Sequence, residues 1–170
     1  MPPRYVKTVE DVIHYYYSRL VIAPSAGLGG NWGFITHTFK RLKSGEISMS
    51  DYDREVQKQM EELPEQCVYC GAEGPLTRDH VIPIKCRGPN APHNCVYVCK
   101  QCNSSKGICD VVDWWVNHVG NDLSDLPRLV AGIYLKFCYD AHKMEGTLDR
   151  MCNELAGLWP YGPSAVGGRD

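Results

Sequence analysis

The spacing of apolar residues predicts three helices in the first third of the chain. The first begins after the capping residue Thr8, and its apolar positions are Val12, Ile13, Tyr16, Leu20 and Val21. The run 23–30, rich in glycine and other small residues, predicts a flexible loop that ends this helix. A second helix is expected over 32–42 and a third over 51–63, between the cap Ser50 and the stop at Pro64. Residues 1–64 therefore form a predicted N-terminal helical region.

From residue 65 the pattern changes to short segments separated by turns. The runs 76–82 and 95–98 are predicted strands, the second of them rich in β-forming residues. A helix is expected to begin at Lys100 and to reach Gly107, which gives the order β-β-α. Apolar residues over 109–118 predict that a helix continues or restarts before Gly120. This central unit therefore spans residues 65–120.

The last third returns to helical spacing. Ser124 is a candidate cap for a helix that runs to about Lys143, with Pro127 in its first turn. Thr147 is a candidate cap for a final helix ending near Leu158. We therefore expect a C-terminal helical region over 121–160 and a disordered tail over 161–170. Helical segments flanking a small β-containing unit predict an α+β fold.

Composition narrows the class of protein. The chain of 170 residues is 44% hydrophobic and 22% charged, as is usual for globular proteins. No apolar run approaches the roughly 20 residues of a membrane span, so no membrane association is expected. The basic N-terminus is not followed by a hydrophobic signal core, which predicts a cytoplasmic, intracellular protein. Nine cysteines, an odd number, favour reduced thiols over a disulfide framework.

The net charge of −2 argues weakly against nucleic-acid binding, but the distribution of charge favours it. Over 78–106 the only acidic residue is Asp79. The basic residues of this segment, which we take as candidate nucleic-acid contacts, are Arg78, Lys85, Arg87, Lys100 and Lys106. A local positive surface suits a phosphate backbone. An ordinary solvated charged face is the alternative.

Two Cys-x2-Cys pairs separated by 28 residues predict a closed, structural zinc site. Its four ligands are Cys67, Cys70, Cys99 and Cys102. In a segment too small for its own core, such an ion contributes folding free energy directly. A redox Cys-x2-Cys site is a weaker alternative, because such a site needs one pair rather than two. Three nearby cysteines are interpreted as small buried residues, with substitution as zinc ligands as the alternative; they are Cys86, Cys95 and Cys109.

Candidate catalytic groups lie between and just after the cysteine pairs. Imidazole titrates near neutrality, so His80 is suited to take a proton from water that attacks phosphorus. The carboxylate of Asp79 and the amide oxygen of Asn103 are suitable ligands for Mg²⁺ or Mn²⁺. Adjacent strand residues point to opposite faces, so Asp79 and His80 serve one site only if the strand ends or bulges there. Lys106, on the same helical face as Asn103, is a candidate contact for a phosphate.

The segments RDHVIP, NCVYVC and CNSSKG resemble the HNH endonuclease family over about residues 67–107. The resemblance implies a zinc-stapled ββα-metal core flanked by N-terminal and C-terminal α-helices. It implies His80 as the general base, and Asp79 and Asn103 as ligands of one catalytic Mg²⁺ or Mn²⁺. It implies that Asn94 braces the histidine loop through backbone hydrogen bonds. Many members carry His where this chain has Asn103, which leaves the preferred metal open.

The implied activity is one-metal hydrolysis of DNA that leaves a 5′ phosphate and a 3′ hydroxyl, in a restriction-type or nicking enzyme. Duplex DNA is the expected partner, and cleavage of both strands would need two active sites and hence a homodimer. One alternative is a non-catalytic zinc-ribbon module that binds nucleic acid or protein, which would not need Asp79, His80 and Asn103. Another is an RNA nuclease or a structure-specific nuclease, because the same site cleaves either backbone.

Overall fold

The computed structural model describes residues 2–50 and 66–151, and it has an α+β fold. Its sheet has two antiparallel strands, with the four-cysteine cluster beside it, and helices precede and follow this unit. The helix expected over 51–63, most of the one expected after Thr147, and the tail over 161–170 lie outside the described residues.

The first helix, α1 (Val9–Tyr17), begins where the sequence predicts. The Thr8 side chain accepts a hydrogen bond from the backbone N–H of Asp11, while Asp11 reaches back to the Thr8 backbone, so the two form a capping box. The helix then continues as a π-helical segment (Ser18–Ile22) and one α-helical turn (Ala23–Ser25). The expected loop therefore begins after Ser25 rather than at Ala23. The proline of this turn, Pro24, lies directly after the π-helical segment.

The second helix, α2 (Trp32–Lys43), agrees with the prediction to within one residue. Asn31 caps it by accepting a hydrogen bond from the backbone N–H of Phe34. One face carries Ile35, Phe39 and Leu42 into the core, at the spacing of neighbouring helical turns. The helix therefore covers one side of α1 with an apolar surface.

The central unit has the predicted order β-β-α. Strands β1 (Leu76–His80) and β2 (Cys95–Cys99) pair antiparallel, and helix α3 (Lys100–Lys106) follows β2 without a gap. The first strand ends at His80 and not at Ile82. Val81 N–H still donates to the Asn94 carbonyl, but Ile82 N–H donates to the side-chain Oδ1 of Asn94, so the regular pairing of the strands stops. This early end places His80 at the edge of the sheet.

The C-terminal part differs from the prediction at the start of its long helix and in the segment that follows this helix. Helix α4 (Arg128–Glu145) begins after Pro127, whereas Ser124 lies in a separate 3-10 turn and does not cap it. Residues 147–150 form turns and not the first turn of a helix. Their carbonyl groups are instead engaged by the N-terminus of α1, since Glu10 N–H donates to Leu148 and Val9 N–H donates to Arg150.

One hydrophobic core joins the helical regions. Helix α4 packs against α1 and its π-helical extension, and Gly132 of α4 lies beside the Val21 side chain. The core also receives residues of the central unit, including Val81, Val96 and Trp114. The helices of the two flanking regions therefore support the ββα unit together. In the ranges 2–50 and 66–151, none of the helices has the length and apolar character that crossing a membrane requires.

Candidate metal and active site

The four predicted zinc ligands converge. The Sγ atoms of Cys67, Cys70, Cys99 and Cys102 all lie within 4.8 Å of one another. The Sγ atoms of Cys70 and Cys99 are 3.8 Å apart. Tetrahedral zinc with Zn–S bonds of about 2.3 Å requires sulfurs about 3.8 Å apart, so the cluster fits this ion.

Local backbone structure positions these thiols. A tight turn closes the first pair, with Gly71 N–H donating to the Cys67 carbonyl at 2.8 Å. In the second pair, Cys99 caps α3 and its sulfur accepts a hydrogen bond from Cys102 N–H. Burial alone would raise the pKa of Cys67, but backbone hydrogen bonds, the strongest of them from Cys99, lower it to about 7. A thiolate ligand is therefore accessible near neutral pH.

The other cysteines of the central unit lie outside this cluster. Among the described residues, only the four predicted ligands form a group of metal-binding side chains. The thiol of Cys95 donates to the Ala91 carbonyl at 3.3 Å and is buried. The geometry therefore favours the predicted four-cysteine set over substitution by Cys86, Cys95 or Cys109.

Three candidate catalytic residues share one open cavity of about 240 Å³. Asp79 and His80 come from the end of β1, and Asn103 comes from α3, which begins beside the zinc cluster. The other residues on the cavity wall are Arg78, Pro83, Ile84, Lys85, Gly107 and Ile108. Because β1 ends at His80, two adjacent residues of one strand reach the same cavity.

The Asp79 carboxylate is held from two sides. Its Oδ1 accepts a hydrogen bond from the Lys106 ammonium at 3.1 Å, and its Oδ2 accepts one from the Tyr69 hydroxyl at 2.9 Å. Burial, and next the charge of Asp79, hold the pKa of Tyr69 well above its usual value, so the hydroxyl stays a donor. Each carboxylate oxygen keeps a further lone pair with which it can bind a cation.

Asn103 presents an unused amide oxygen. Its Nδ2 donates to the Thr77 hydroxyl at 2.9 Å and more weakly to the Arg78 carbonyl at 3.3 Å. In the part of the chain that the structure describes, Oδ1 of Asn103 accepts no hydrogen bond. One carboxylate and one free amide oxygen on the same cavity are hard donors, which fit Mg²⁺ or Mn²⁺.

Asn94 ties together the segment that follows His80. Its buried side chain donates to the carbonyls of Ile82 and Pro89, at 2.8 and 2.9 Å, and accepts from Ile82 N–H at 3.0 Å. Its own carbonyl accepts from Val81 N–H. These are backbone hydrogen bonds of the kind that the family resemblance implies for Asn94. Its effect on catalysis stays a prediction.

The predicted basic contacts divide into two groups. Arg78, Lys85, Arg87 and Lys100 are exposed, and the first two lie on the cavity wall. The prediction that Lys106 contacts a phosphate is wrong for this structure, because its side chain is 0% exposed. Its ammonium donates instead to Asp79 and to the His80 carbonyl, the latter at 2.9 Å.

Two neighbours of the candidate catalytic residues carry no recognisable signal in the sequence. Tyr69 lies inside the first cysteine pair and donates to Asp79, and its ring packs edge-on against Trp114. Asn90 places its Oδ1 3.2 Å from His80 Nε2. Both contacts join residues ten positions apart through turns, so no periodic pattern in the sequence marks them.

Together, a ββα unit, a four-cysteine cluster and an Asp-His-Asn cavity are typical of the metal-dependent nucleases with a ββα-metal core. Residues 67–108 match the family model of the HNH endonucleases, so this part of the chain is an HNH endonuclease domain. The match supports a nuclease or nucleic-acid-binding role, and HNH nucleases act on DNA. Comparison with curated proteins and with solved structures gave no match.

Proposed function

We propose that this protein is a DNA endonuclease that hydrolyses phosphodiester bonds in the cavity formed by Asp79, His80 and Asn103. The observation that carries the proposal is the convergence of these three side chains on one open cavity within the HNH domain. A zinc-binding module without catalytic activity would need the cysteine cluster but no such cavity. The thiols of the cluster must stay reduced to bind zinc, which suits an intracellular location.

The side chains divide the chemical work. His80 accepts a proton from the water that attacks phosphorus. Asp79 and Asn103 would hold one Mg²⁺ or Mn²⁺, which when bound polarises a phosphate oxygen and stabilises charge on the departing 3′ oxygen. Tyr69 and Lys106 keep the Asp79 carboxylate in place. The expected products carry a 5′ phosphate and a 3′ hydroxyl.

Two exposed basic residues on the cavity wall suit the DNA backbone. Arg78 precedes Asp79 on β1, and Lys85 lies in the 3-10 turn after Pro83, so both flank the catalytic side chains. Cationic side chains beside the cavity can bind the phosphates on either side of the reacting one, and such contacts position the DNA without recognising its bases. Duplex DNA is the substrate we propose. Restriction-type cleavage would require a homodimer, whereas a monomer would nick one strand.

The decisive experiment is cleavage of supercoiled plasmid in Mg²⁺ or Mn²⁺ by wild type, His80→Ala and His93→Ala. His93 is an exposed histidine that is not on the cavity wall, so it provides a matched control. The proposal expects nicked or linear plasmid with wild type and His93→Ala, and intact plasmid with His80→Ala. If folded, zinc-loaded wild type leaves plasmid, single-stranded DNA and RNA intact, the protein is a binding module.

A further inference from the structure

We propose that Asn90 is a positioning residue for His80, and that it selects the ring nitrogen that accepts the proton. The inference rests on the proposed function, because it concerns the same general base. It is carried by one contact, the 3.2 Å approach of Asn90 Oδ1 to His80 Nε2, and by the rigidity of the loop that makes this contact. Neither depends on a bound metal.

The chemistry of the contact assigns the tautomer. An amide oxygen only accepts hydrogen bonds, so the nitrogen that faces it must carry the proton. In a neutral imidazole the other nitrogen then keeps its lone pair. With Nε2–H directed at Asn90, Nδ1 is the nitrogen that takes the proton from water. Within the described ranges, Nδ1 of His80 makes no hydrogen bond that would compete for this role.

The loop that carries Asn90 is fixed against the strand end that carries His80. Gly88 lies so close to the Ile82 carbonyl that a Cβ atom at this position would overlap it. Gly88 N–H also donates to the Pro83 carbonyl at 3.1 Å. The preceding Arg87 adopts φ 65°, a left-handed conformation that turns the chain back toward the sheet. A side chain at position 88 would therefore displace the loop.

Buried Asn94 holds the backbone on both sides of Asn90. The carbonyl of Pro89 accepts from Asn94 Nδ2 at 2.9 Å, and the carbonyl of Ala91 accepts from Asn94 N–H at 3.0 Å. Because both neighbours are tied to one buried residue, little freedom is left for Asn90 to move away from His80. The position of Asn90 is thus set by Asn94, four residues later in the chain.

Loss of the Asn90 amide should affect the chemical step more than substrate binding. Without an acceptor at Nε2, the ring rotates and samples both tautomers, so a smaller fraction has its lone pair on the nitrogen that faces the water. Removal of an outer partner that orients a metal-ligating histidine lowers activity by about 10- to 100-fold, and we expect a loss of the same size for a histidine that acts as a base. Asn90 itself is exposed, so its truncation leaves the core intact.

The test compares Asn90→Ala, Asn90→Asp and Asn117→Ala with wild type on an oligonucleotide duplex at saturating metal. Asn117 is an exposed asparagine with one side-chain hydrogen bond, to Asp113, and serves as the control. We expect Asn90→Ala to lower kcat about 10- to 100-fold with KM unchanged. Asn90→Asp keeps an oxygen acceptor and should recover most of this loss, and Asn117→Ala should match wild type.

A second readout does not require activity. Nitrogen-15 NMR at alkaline pH, with the His80 ring assigned by its absence in His80→Ala, reports which nitrogen is protonated. Wild type should show Nε2–H, and Asn90→Ala should show a mixture of tautomers. An Nδ1–H ring in wild type, or unchanged kcat in Asn90→Ala of a cleaving enzyme, would overturn the inference alone. A wild type that cleaves no nucleic acid would instead overturn the proposed function.

Discussion

Asp79 is a buried carboxylate whose charge is balanced inside the protein. The Lys106 ammonium, 0% exposed, lies 3.1 Å from it and also bonds to the backbone of His80. One lysine therefore holds both the proposed metal ligand and the strand end that carries the proposed base. Buried charges of this kind are stable only while both partners are present.

Replacement of Lys106 by methionine should therefore destabilise the protein. Methionine fills a similar volume but leaves Asp79 as an unpaired buried charge, which costs about 3–5 kcal/mol of the free energy of unfolding. Urea denaturation of metal-free protein measures this loss. Lys100→Met, on the same helix but exposed, should change the free energy of unfolding by no more than about 0.5 kcal/mol. Equal stability of the two variants would contradict the role of the ion pair.

Tyr69→Phe isolates the second donor to Asp79. The ring and its contact with Trp114 are retained, so the change removes only the hydroxyl that bonds Oδ2. Hydrogen bonds to charged groups contribute about 1.5–3 kcal/mol, and we expect a loss of stability in this range. Plasmid cleavage should also need a higher Mn²⁺ concentration, because the ligand is less well oriented. Tyr97→Phe, at an exposed position on β2, should alter neither quantity.

At the scale of elements, the zinc cluster joins the turn before β1 to the end of β2 and the start of α3. Two strands of five residues each cannot fold independently in water, so the ion supplies what the sheet lacks. Cys99→Ser should therefore abolish plasmid cleavage and expose the 66–108 segment to proteolysis. Cys109→Ser, outside the cluster, is the matched control and should resist protease as wild type does.

The capping-box residue Asp11 at the start of α1 makes a contribution to the stability of the protein that depends on pH. Burial alone would raise the pKa of Asp11, but hydrogen bonds from Lys43 and the backbone of Lys7 and Thr8 outweigh it and hold the pKa below the usual value. Because the folded pKa lies below the unfolded one, the contribution is present above about pH 4 and is lost as the pH falls through the folded pKa. Thermal denaturation from pH 7 to pH 2 measures the loss.

Asp11→Asn is the variant that tests this assignment. It should be less stable than wild type at neutral pH, and the difference should shrink as the pH is lowered, because the asparagine has no charge to lose. A matched variant is Asp113→Asn, at an exposed aspartate of the short helix Val111–Asp113. Its stability at neutral pH should lie within about 0.5 kcal/mol of that of wild type. A difference in stability between Asp11→Asn and wild type that stays constant with pH would contradict the assignment.

At the scale of the whole molecule, the first and last described segments meet. Backbone hydrogen bonds of 2.9 and 3.0 Å join Val9 and Glu10 to the segment after α4, and Gly132 of α4 lies against Val21. The helices that flank the HNH domain in sequence thus share one core with it. A change in the packing of these helices should therefore change the free energy of unfolding of the whole described structure.

Gly132 provides a graded test of this packing. A Cβ atom there would lie 3.8 Å from the Val21 side chain, an ordinary contact, so Gly132→Ala should stabilise the protein by about 0.5–1 kcal/mol through helix propensity. Gly132→Leu should destabilise it by about 1–3 kcal/mol, because the longer side chain forces α4 away from the π-helical segment that carries Val21. Chemical denaturation of both variants gives the comparison. Stabilisation by both would show that the two helices are not in contact.

The features that the sequence could predict depend either on neighbouring residues or on a fixed number of residues between two positions. The Thr8 cap, the β-β-α order and the four cysteines depend on signals within a few residues or on a fixed spacing, and the structure agrees with them. The prediction for Lys106 failed because its partner, Asp79, is distant in sequence. The prediction for Ser124 failed because Asp122 holds this residue in a local 3-10 turn. A helical lysine looks the same in sequence whether it faces solvent or a buried aspartate. No helix-capping signal distinguishes Ser124 from a residue held in its own 3-10 turn.

Three of the proposed active-site residues lie between the two cysteine pairs, and this has a consequence for how the protein matures. Asp79, His80 and Asn94 all lie within the loop that the ion closes between Cys70 and Cys99. A newly synthesised chain would therefore be unable to cleave DNA until it binds zinc, even when its helices have already formed. If the protein cuts DNA as proposed, its activity appears only after zinc has bound. A low concentration of zinc in the cell then delays this activity, and no inhibitor is needed.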